Sequence, residues 1–395
     1  MADITLLSTA DWDQLLWTNK QHVASELASL GHRVLYVESL GLRAPRQQAQ
    51  DFRRIGRRLL RSLRPPRLVR PNLWVWSPLV LPGVRGALAR QINRLLLLLG
   101  LASSRRCLKL RPDWLWTYNP KTIAYGLPHP YRTLIYHCVD EIQAQPDMDA
   151  ADLSFWEEQL CRAADLVFVT SPALLESRIQ YNQNTHFFPN VADHSHFASA
   201  LDPGLAIPDD LVAIPMPRIG FVGAISGYKL DLDLLAELAD QTPEWSYVMI
   251  GPVGEGDPGT DLSRLRCCRN VYWLGAKPYP ILPAYMKGLD VGLLPLRFNR
   301  YTHSMFPMKF FEYLGAGLPV VASAIDSLRD YRTCALLCEP TVSTFRQALQ
   351  SCLDGKGPDL QLRLDTAAQH TYHGRTLAML SILATGMRQQ GWILP

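Results

Sequence analysis

What this sequence lacks narrows it first. Its 395 residues include 8 cysteines but no C-x-x-C pair; Cys267 and Cys268 are adjacent, and Cys334 and Cys338 stand four apart. Without a disulfide or zinc framework, the simplest expectation is reduced thiols. A basic leader with an apolar h-region is missing too. The chain opens on a strand-like run, Ile4–Leu7, and no secretory signal is expected. The longest apolar run, Leu95–Ala102, is far too short to span a bilayer. The expectation is a soluble protein, or one that lies on a membrane. No G-x-G-x-x-G fingerprint follows the first strand, which argues against a tightly held dinucleotide there. Charge of one sign is not in excess overall, the formal net charge being +4.

Charge is instead concentrated. Arg43, Arg46, Arg53, Arg54, Arg57, Arg58, Arg61, Arg64, Arg67 and Arg70 share one stretch in which Asp51 is the sole acid. From Asp51 to Leu63, Phe52, Ile55, Leu59, Leu60 and Leu63 recur at helical spacing between the arginines. A basic amphipathic helix of this kind suits an anionic membrane surface, so the Arg53–Arg70 region is the expected membrane contact. A solvated helix is the plain alternative. A nucleic-acid partner is not expected, because no base-stacking aromatics interleave the cations.

A chain of this length is too long for one ordinary core, and its periodicity supplies two. Ile4–Leu7, a helix over Thr18–Leu30 and a strand at Arg33–Glu38 make a βαβ opening. Strand candidates follow at Leu73–Trp76, Trp114–Thr117, Thr133–His137, Leu166–Thr170 and His186–Phe188, with helices such as Gly86–Leu99 and Asp152–Ala163 between them. Pro203, Pro208, Pro215 and Pro217 mark 201–217 as a linker. A second series then runs through strands at Arg218–Gly223, Tyr247–Ile250, Val271–Leu274, Val291–Pro295, Val320–Ser323 and Ala335–Cys338. Leu364–Arg388 reads as helical. The fold class is α/β, with two Rossmann-like units in tandem.

In open α/β sheets ligands sit outside the carboxyl ends of strands, so the strand-to-helix loops carry the candidates. After the first strand come Asp11, Trp12 and Trp17, whose rings suit stacking on a sugar and equally suit loop packing. Tyr118 and Asn119 follow the strand Trp114–Thr117 and join them as acceptor-binding candidates. The loop after Thr133–His137 carries Asp140 and Glu141, an acidic pair where a base could deprotonate an acceptor hydroxyl or where an acid could cap a helix. Gly220-Phe-Val-Gly223 leads through small residues to Lys229, a place for backbone and a cation to meet phosphate, without Walker spacing; a plain turn with a solvated lysine is the equal alternative. Lys309 sits in the first turn of a helix predicted over Met308–Gly315, awkward unless an anion is bound there. Glu312, one turn on, is placed to accept ribose hydroxyls; the plain reading of this couple is an exposed ion pair. His194 and His196 have no partner at ligand spacing and are expected on the surface, and no metal site is expected.

The segment Pro307-Met-Lys-Phe-Phe-Glu312-Tyr-Leu-Gly-Ala-Gly-Leu-Pro-Val-Val resembles the hallmark of GT-B glycosyltransferases, especially the group that includes glycosyltransferase family 4. Phe188-Pro-Asn190-Val-Ala-Asp193, Gly-Phe-Val-Gly223, Ile250-Gly-Pro and Leu274-Gly275 fall in family order. The resemblance implies two Rossmann-like domains with parallel sheets facing a central cleft. It implies an acceptor domain over 1–200, a linker over 201–217, a nucleotide-sugar domain over 218–363, and a helical segment over 364–395 crossing back to the first domain. It assigns Gly223, Lys229, Gly251, Ala276, Lys277, Ser304, Met308, Lys309 and Glu312 to the nucleotide sugar, a co-substrate, with no cofactor and no metal. Retaining members carry two Glu eight residues apart; Glu312 matches the second, and Ser304 stands at the first. The stretch Ser304-Met-Phe-Pro-Met-Lys309 is similar instead to xanthan-type glucuronosyltransferases, and teichuronic-acid-type transferases are a second local match. By that resemblance Asp140 is the base of an inverting displacement and Lys309 holds the departing diphosphate.

The expected function is transfer of a sugar from a nucleotide-diphosphate sugar, with a UDP-sugar as the expected donor, to a glycan or lipid-linked acceptor at the cytoplasmic face of the inner membrane, in bacterial-type surface polysaccharide synthesis. The alternatives are a GT-B-fold UDP-sugar epimerase or hydrolase, and a GT-B-shaped binding scaffold without turnover.

Overall fold

The computed structural model describes residues 1–40, 62, 64–79, 87–127 and 129–389. The chain divides into two compact units, Met1–Phe188 with Thr376–Pro395, and Pro189–Arg375. The expected basic helix, with Arg53, Arg54, Arg57 and Arg58, lies outside the described residues.

In unit 1, β1 (Asp3–Leu7), β2 (Arg33–Val37), β3 (Arg67–Arg70), β4 (Leu73–Trp76), β5 (Trp114–Thr117), β6 (Thr133–Cys138), β7 (Leu166–Val169) and β8 (Thr185–Phe187) form one sheet in the order β3-β4-β2-β1-β5-β6-β7-β8. All neighbours pair in parallel except β3 with β4. The helices are α1 (Asn19–Ser29), α2 (Ala87–Leu108), α3 (Ala150–Ala163) and α4 (Pro172–Ile179). β1, β5, β6 and β7 are buried throughout, as parallel strands covered on both faces must be. Leu7, Leu35, Leu97, Leu101, Leu115, Leu134, Val167 and Leu174 meet in the core. Each large side chain removed from water there contributes about 1.5–3 kcal/mol. Helix starts are set locally. Asp149 accepts from the Asp152 N–H at 3.1 Å, and Ser171 accepts from the Leu174 N–H at 3.2 Å with Pro172 at the first helical position.

In unit 2, β9 (Arg218–Val222), β10 (Ser246–Ile250), β11 (Val271–Gly275), β12 (Val291–Leu294), β13 (Val320–Ser323) and β14 (Leu336–Cys338) form a parallel sheet in the order β11-β10-β9-β12-β13-β14. Its main helices are α5 (His194–Ala198), α6 (Leu232–Gln241), α7 (Leu282–Lys287), α8 (Arg300–His303), α9 (Lys309–Gly315), α10 (Val342–Leu353) and α11 (Leu360–Gln369). A further helix, α12 (Tyr372–Gln389), begins in unit 2 and continues into the residues grouped with unit 1. The helical stretch expected over Leu364–Arg388 is therefore two helices, with His370 capping the first.

The unit boundary falls after Phe188, earlier than the 200 expected, because α5 packs with α9 and α7. The proline-rich stretch 201–217 is also fastened to unit 2. The Arg218 guanidinium donates to the carbonyls of Ile214 (2.8 Å) and Val212 (3.0 Å), and Lys287 Nζ donates to those of Asp202 (2.6 Å) and Leu205 (2.7 Å). Scattered prolines suggested a free linker; long-range side-chain bonds make it part of the domain.

Candidate functional site

Three adjacent strands of unit 2 end on glycine. Gly223 after β9 donates to the Ile250 carbonyl at 2.8 Å, and Gly251 after β10 donates to the Gly275 carbonyl at 2.9 Å. Gly223 and Gly251 have φ of 153° and 150°, which side chains rarely adopt. A Cβ on Gly251 would lie 1.8 Å from the Gly223 carbonyl oxygen, so backbone there approaches backbone as only glycine allows. Over Gly275 a Cβ would meet nothing within 4 Å. The sheet thus closes tightly at two of its tips and is open at the third.

Against the first of these tips, Gly223, lies the first turn of α9. The Lys309 Cε is 3.7 Å from where a Gly223 Cβ would be, so the lysine stem runs over the glycine. Its ammonium meets Glu312 Oε2 at 2.5 Å, with side-chain exposures of 18% and 3%. The couple is largely buried, where the plain reading expected a solvated pair. Tyr313 ties the helix to the sheet, its hydroxyl accepting from the Val222 N–H at 2.7 Å. The approach to the helix is pinned from two sides. Asn190 donates to the Phe306 carbonyl at 2.6 Å, and Ser327 donates to that of Met305 at 2.7 Å. Ser304 is buried and Met308 half-buried at this turn.

α5 and the loop after β11 complete the surroundings. Lys309 Nζ lies 6.0 Å from the centroid of the Phe197 ring, which packs edge-on to Tyr279. His196, expected on the surface, is half-buried and stacks on Tyr279 at 4.4 Å, its Nε2 3.0 Å from the Tyr279 carbonyl. Burial, with the Glu312 and Asp193 charges beside it, holds the Tyr279 hydroxyl well above its ordinary range, so it stays protonated. Sequence reasoning placed His196 at the surface and missed Phe197 and Tyr279, whose only signal was that both flank segments already singled out.

The other expected cations stand differently. Lys229 Nζ lies over the rings of Tyr228 and Tyr301, at 5.2 and 5.5 Å. Lys277 Nζ donates to Asp210 at 2.6 Å, and Tyr285 donates to the same carboxylate at 2.9 Å. Burial opposes the Asp210 charge, but Lys277 and Tyr285 outweigh it and hold this carboxyl below its ordinary range. The Lys277 side chain is thus an anchor for its loop, and Ala276 beside it is exposed.

In unit 1, Asp140 follows β6 and is half-buried. Its acidic neighbour has a different fate. Glu141 is buried, ion-paired to Arg178 at 2.7 Å. The pair expected to face a ligand therefore divides into one buried anchor and one half-buried aspartate. Among the acceptor candidates, Trp12 is buried against Tyr36 (5.2 Å) and Trp17 (5.1 Å), and its backbone N–H donates to Glu38 at 2.9 Å. Tyr118 and Asn119 are buried as well, the tyrosine stacked on His137 at 4.8 Å. Trp17 is half-buried, with the Arg70 guanidinium 5.0 Å from its ring. Asp11 is half-buried, and its carbonyl accepts from Gln21 at 3.0 Å. Loop packing, the plain reading of the tryptophans, describes Trp12 as it stands.

Residues 216–355 match the family described as Glycosyl transferases group 1. This stretch is similar to a group 1 glycosyl transferase domain. It contains the three glycine tips and the Lys309–Glu312 couple. A putative teichuronic acid biosynthesis glycosyltransferase, TuaH of Bacillus subtilis, is 36% identical over 110 residues, 28% of this chain and 27% of that protein. The match thus spans about a quarter of that curated relative. Among solved structures, sucrose-phosphate synthase of Thermosynechococcus elongatus superposes with a TM-score of 0.70 at 16% identity, covering 99% of both chains. HepE of Anabaena, solved with UDP and glucose, gives a TM-score of 0.66 at 16% identity over 97% of this chain and 100% of that one. Trehalose-6-phosphate from E. coli, bound with UDP-2-fluoro glucose, gives 0.65 at 14% identity over 97% and 99%. The fold is that of the GT-B glycosyltransferases, two Rossmann-like units each built on a mostly parallel sheet.

Proposed function

We propose that this protein transfers a sugar from a UDP-sugar to a glycan or lipid-linked acceptor in the synthesis of a surface polysaccharide. The observation that carries this reading is the Lys309–Glu312 couple laid over Gly223, beside the tips of β10 and β11. A largely buried ammonium against a strand tip without side chains suits a diphosphate, and a carboxylate one turn along suits a ribose diol. Solved proteins of this fold hold UDP and UDP-glucose, and TuaH is described as a biosynthetic glycosyltransferase. Asp140 is the proposed base, taking the acceptor proton as that oxygen attacks the anomeric carbon and UDP departs with the bonding pair. In this reading Lys309 offsets the charge on the leaving diphosphate, and neither a metal nor a cofactor is needed.

The deciding assay is UDP release from a panel of UDP-sugars, with EDTA present in a parallel series. Turnover that survives EDTA and is lost in Asp140→Asn supports the reading. UDP binding with no turnover of any donor in the presence of membrane lipid extract would make the protein a binding scaffold instead.

A membrane surface is the proposed place of action. On α2, Ile92, Leu95 and Leu99 are 39%, 58% and 60% exposed and share one helical face. From residue 87 to 109 the cations Arg90, Arg94, Arg105, Arg106 and Lys109 are accompanied by no acid. An apolar stripe among cations favours anionic lipid. Among the described residues no helix is long and apolar enough to cross a membrane. Flotation with phosphatidylglycerol vesicles, lost in Leu95→Asp/Leu99→Asp, is expected; equal flotation of the variant would overturn this part.

A further inference from the structure

Beneath the loop that presents Asp140 lies a buried cluster to which no role has yet been given. Arg178 of α4 is 5% exposed, Glu141 4% and Glu157 of α3 7%. One nitrogen, Arg178 Nη2, contacts Glu141 Oε2 at 2.7 Å and Glu157 Oε2 at 2.8 Å. The Tyr136 hydroxyl donates to Glu157 Oε1 at 2.5 Å, and Cys138 Sγ lies 3.3 Å from the same oxygen. The second oxygen of Glu141 accepts from Gln143 Nε2.

Two carboxylates on one guanidinium are a costly way to fill a core. Apolar side chains of similar volume often stabilise as well or better. What the cluster adds is geometry. On one side of Asp140 the Val139 carbonyl accepts from Thr170 at 2.9 Å. On the other, Glu141 is held at both oxygens, and the Asp140 carbonyl accepts from the Ile142 N–H at 3.0 Å. The backbone is thus fixed before and after a half-buried aspartate.

We infer that Arg178 is a positioning residue for Asp140, acting through Glu141, with Glu157 and Tyr136 orienting its guanidinium. The inference rests on Asp140 being the base. A base displaced by about 1 Å loses on the order of a hundredfold in rate, so a rigid mount for this loop is a kinetic device. Donor binding belongs to unit 2 and does not depend on it.

The test follows UDP release from whichever of UDP-glucose, UDP-galactose and UDP-glucuronic acid the wild type turns over. Rates are normalised to the fraction of protein whose unit 1 melts cooperatively, so that misfolded material is not counted. Arg178→Met and Glu141→Ala are expected to lower kcat about ten- to hundredfold with donor KM within about twofold. Arg178→Lys is expected to recover most of that loss, and Glu141→Ala/Arg178→Met to be no worse than Glu141→Ala. Arg162→Met, which breaks an exposed pair with Glu158 on α3, serves as the control and should leave kcat unchanged. Should Arg178→Met fail to fold, Glu141→Ala decides. Loss of activity in Asp140→Asn with wild-type kcat in Glu141→Ala overturns this inference alone. Full activity in Asp140→Asn overturns the base assignment and the inference with it.

Discussion

Replacing Lys309 tests the donor site most directly, because its two consequences have opposite cures. In Lys309→Met the Glu312 carboxylate, 2% exposed, loses its 2.5 Å partner. Stranding one member of a buried pair costs about 3–5 kcal/mol. For a unit of this size roughly 2–4 °C accompanies each kcal/mol, so a fall of about 6–20 °C is expected in the melting of unit 2. Glu312→Gln on the same background removes the stranded charge and should restore most of that loss. Ligand binding should not be restored. A charge-assisted hydrogen bond to phosphate is worth about 1.5–3 kcal/mol, which corresponds to about 10- to 150-fold in Kd. Calorimetric titration with UDP, comparing Glu312→Gln with Lys309→Met/Glu312→Gln, isolates that bond, and UMP should respond less because it lacks the second phosphate. The lower end of the range is expected, since the ammonium already has a partner before UDP arrives. UDP affinity within twofold in the two backgrounds would refute the diphosphate assignment whatever the melting curves do.

Other consequences separate packing from binding. Gly251→Ala places a Cβ 1.8 Å from the Gly223 carbonyl oxygen at φ 150° and is expected to abolish soluble unit 2, read as expression yield and loss of cooperative melting. Gly275→Ala, at φ 67° with nothing within 4 Å, should fold with only about 1–2 kcal/mol of backbone strain; a larger loss in melting would mean that the open space is filled. His32 accepts from the Ala2 N–H through Nδ1 at 3.2 Å, a bond available only to the neutral ring, and burial lowers its pKa from 6.5. A base with a lowered folded pKa stabilises fully above its unfolded pKa and progressively less as pH falls through 6.5 toward the folded value. Stability measured at pH 7.5 and 5.5 should therefore fall more steeply in wild type than in His32→Asn, and equal slopes would show the ring is already solvated.

Strand and helix periodicity made the fold legible because burial on both faces of a parallel sheet leaves apolar runs that few other structures need. β1, β2, β5, β6 and the six strands of unit 2 stand where those runs predicted. β3 was missed for the same reason. Arg67-Leu-Val-Arg70 is a short charged edge strand, with Arg67 forked onto Asp13 at 2.7 Å, and nothing in its pattern announces burial. The domain boundary was misplaced because α5 is short and polar, His194-Ser-His-Phe-Ala198, and its membership is decided by Phe197 packing in unit 2.

At the site, local spacing was informative only where both members of an interaction lie on one element. Lys309 and Glu312 share a helical face, and their contact could be read from the sequence. Glu141 and Arg178 are joined across a loop, two helices and a strand, so Asp140 and Glu141 looked like one acidic pair. β6 ends at Cys138, and the chain bends at Asp140, whose carbonyl accepts from the Ile142 N–H, so the two neighbouring carboxylates part in a turn. One carboxylate goes into the layer of helices and must find a cation there, and the other stays half-buried. For an acidic doublet at a strand tip, a buried arginine therefore marks the structural member, and the remaining one is the candidate for chemistry.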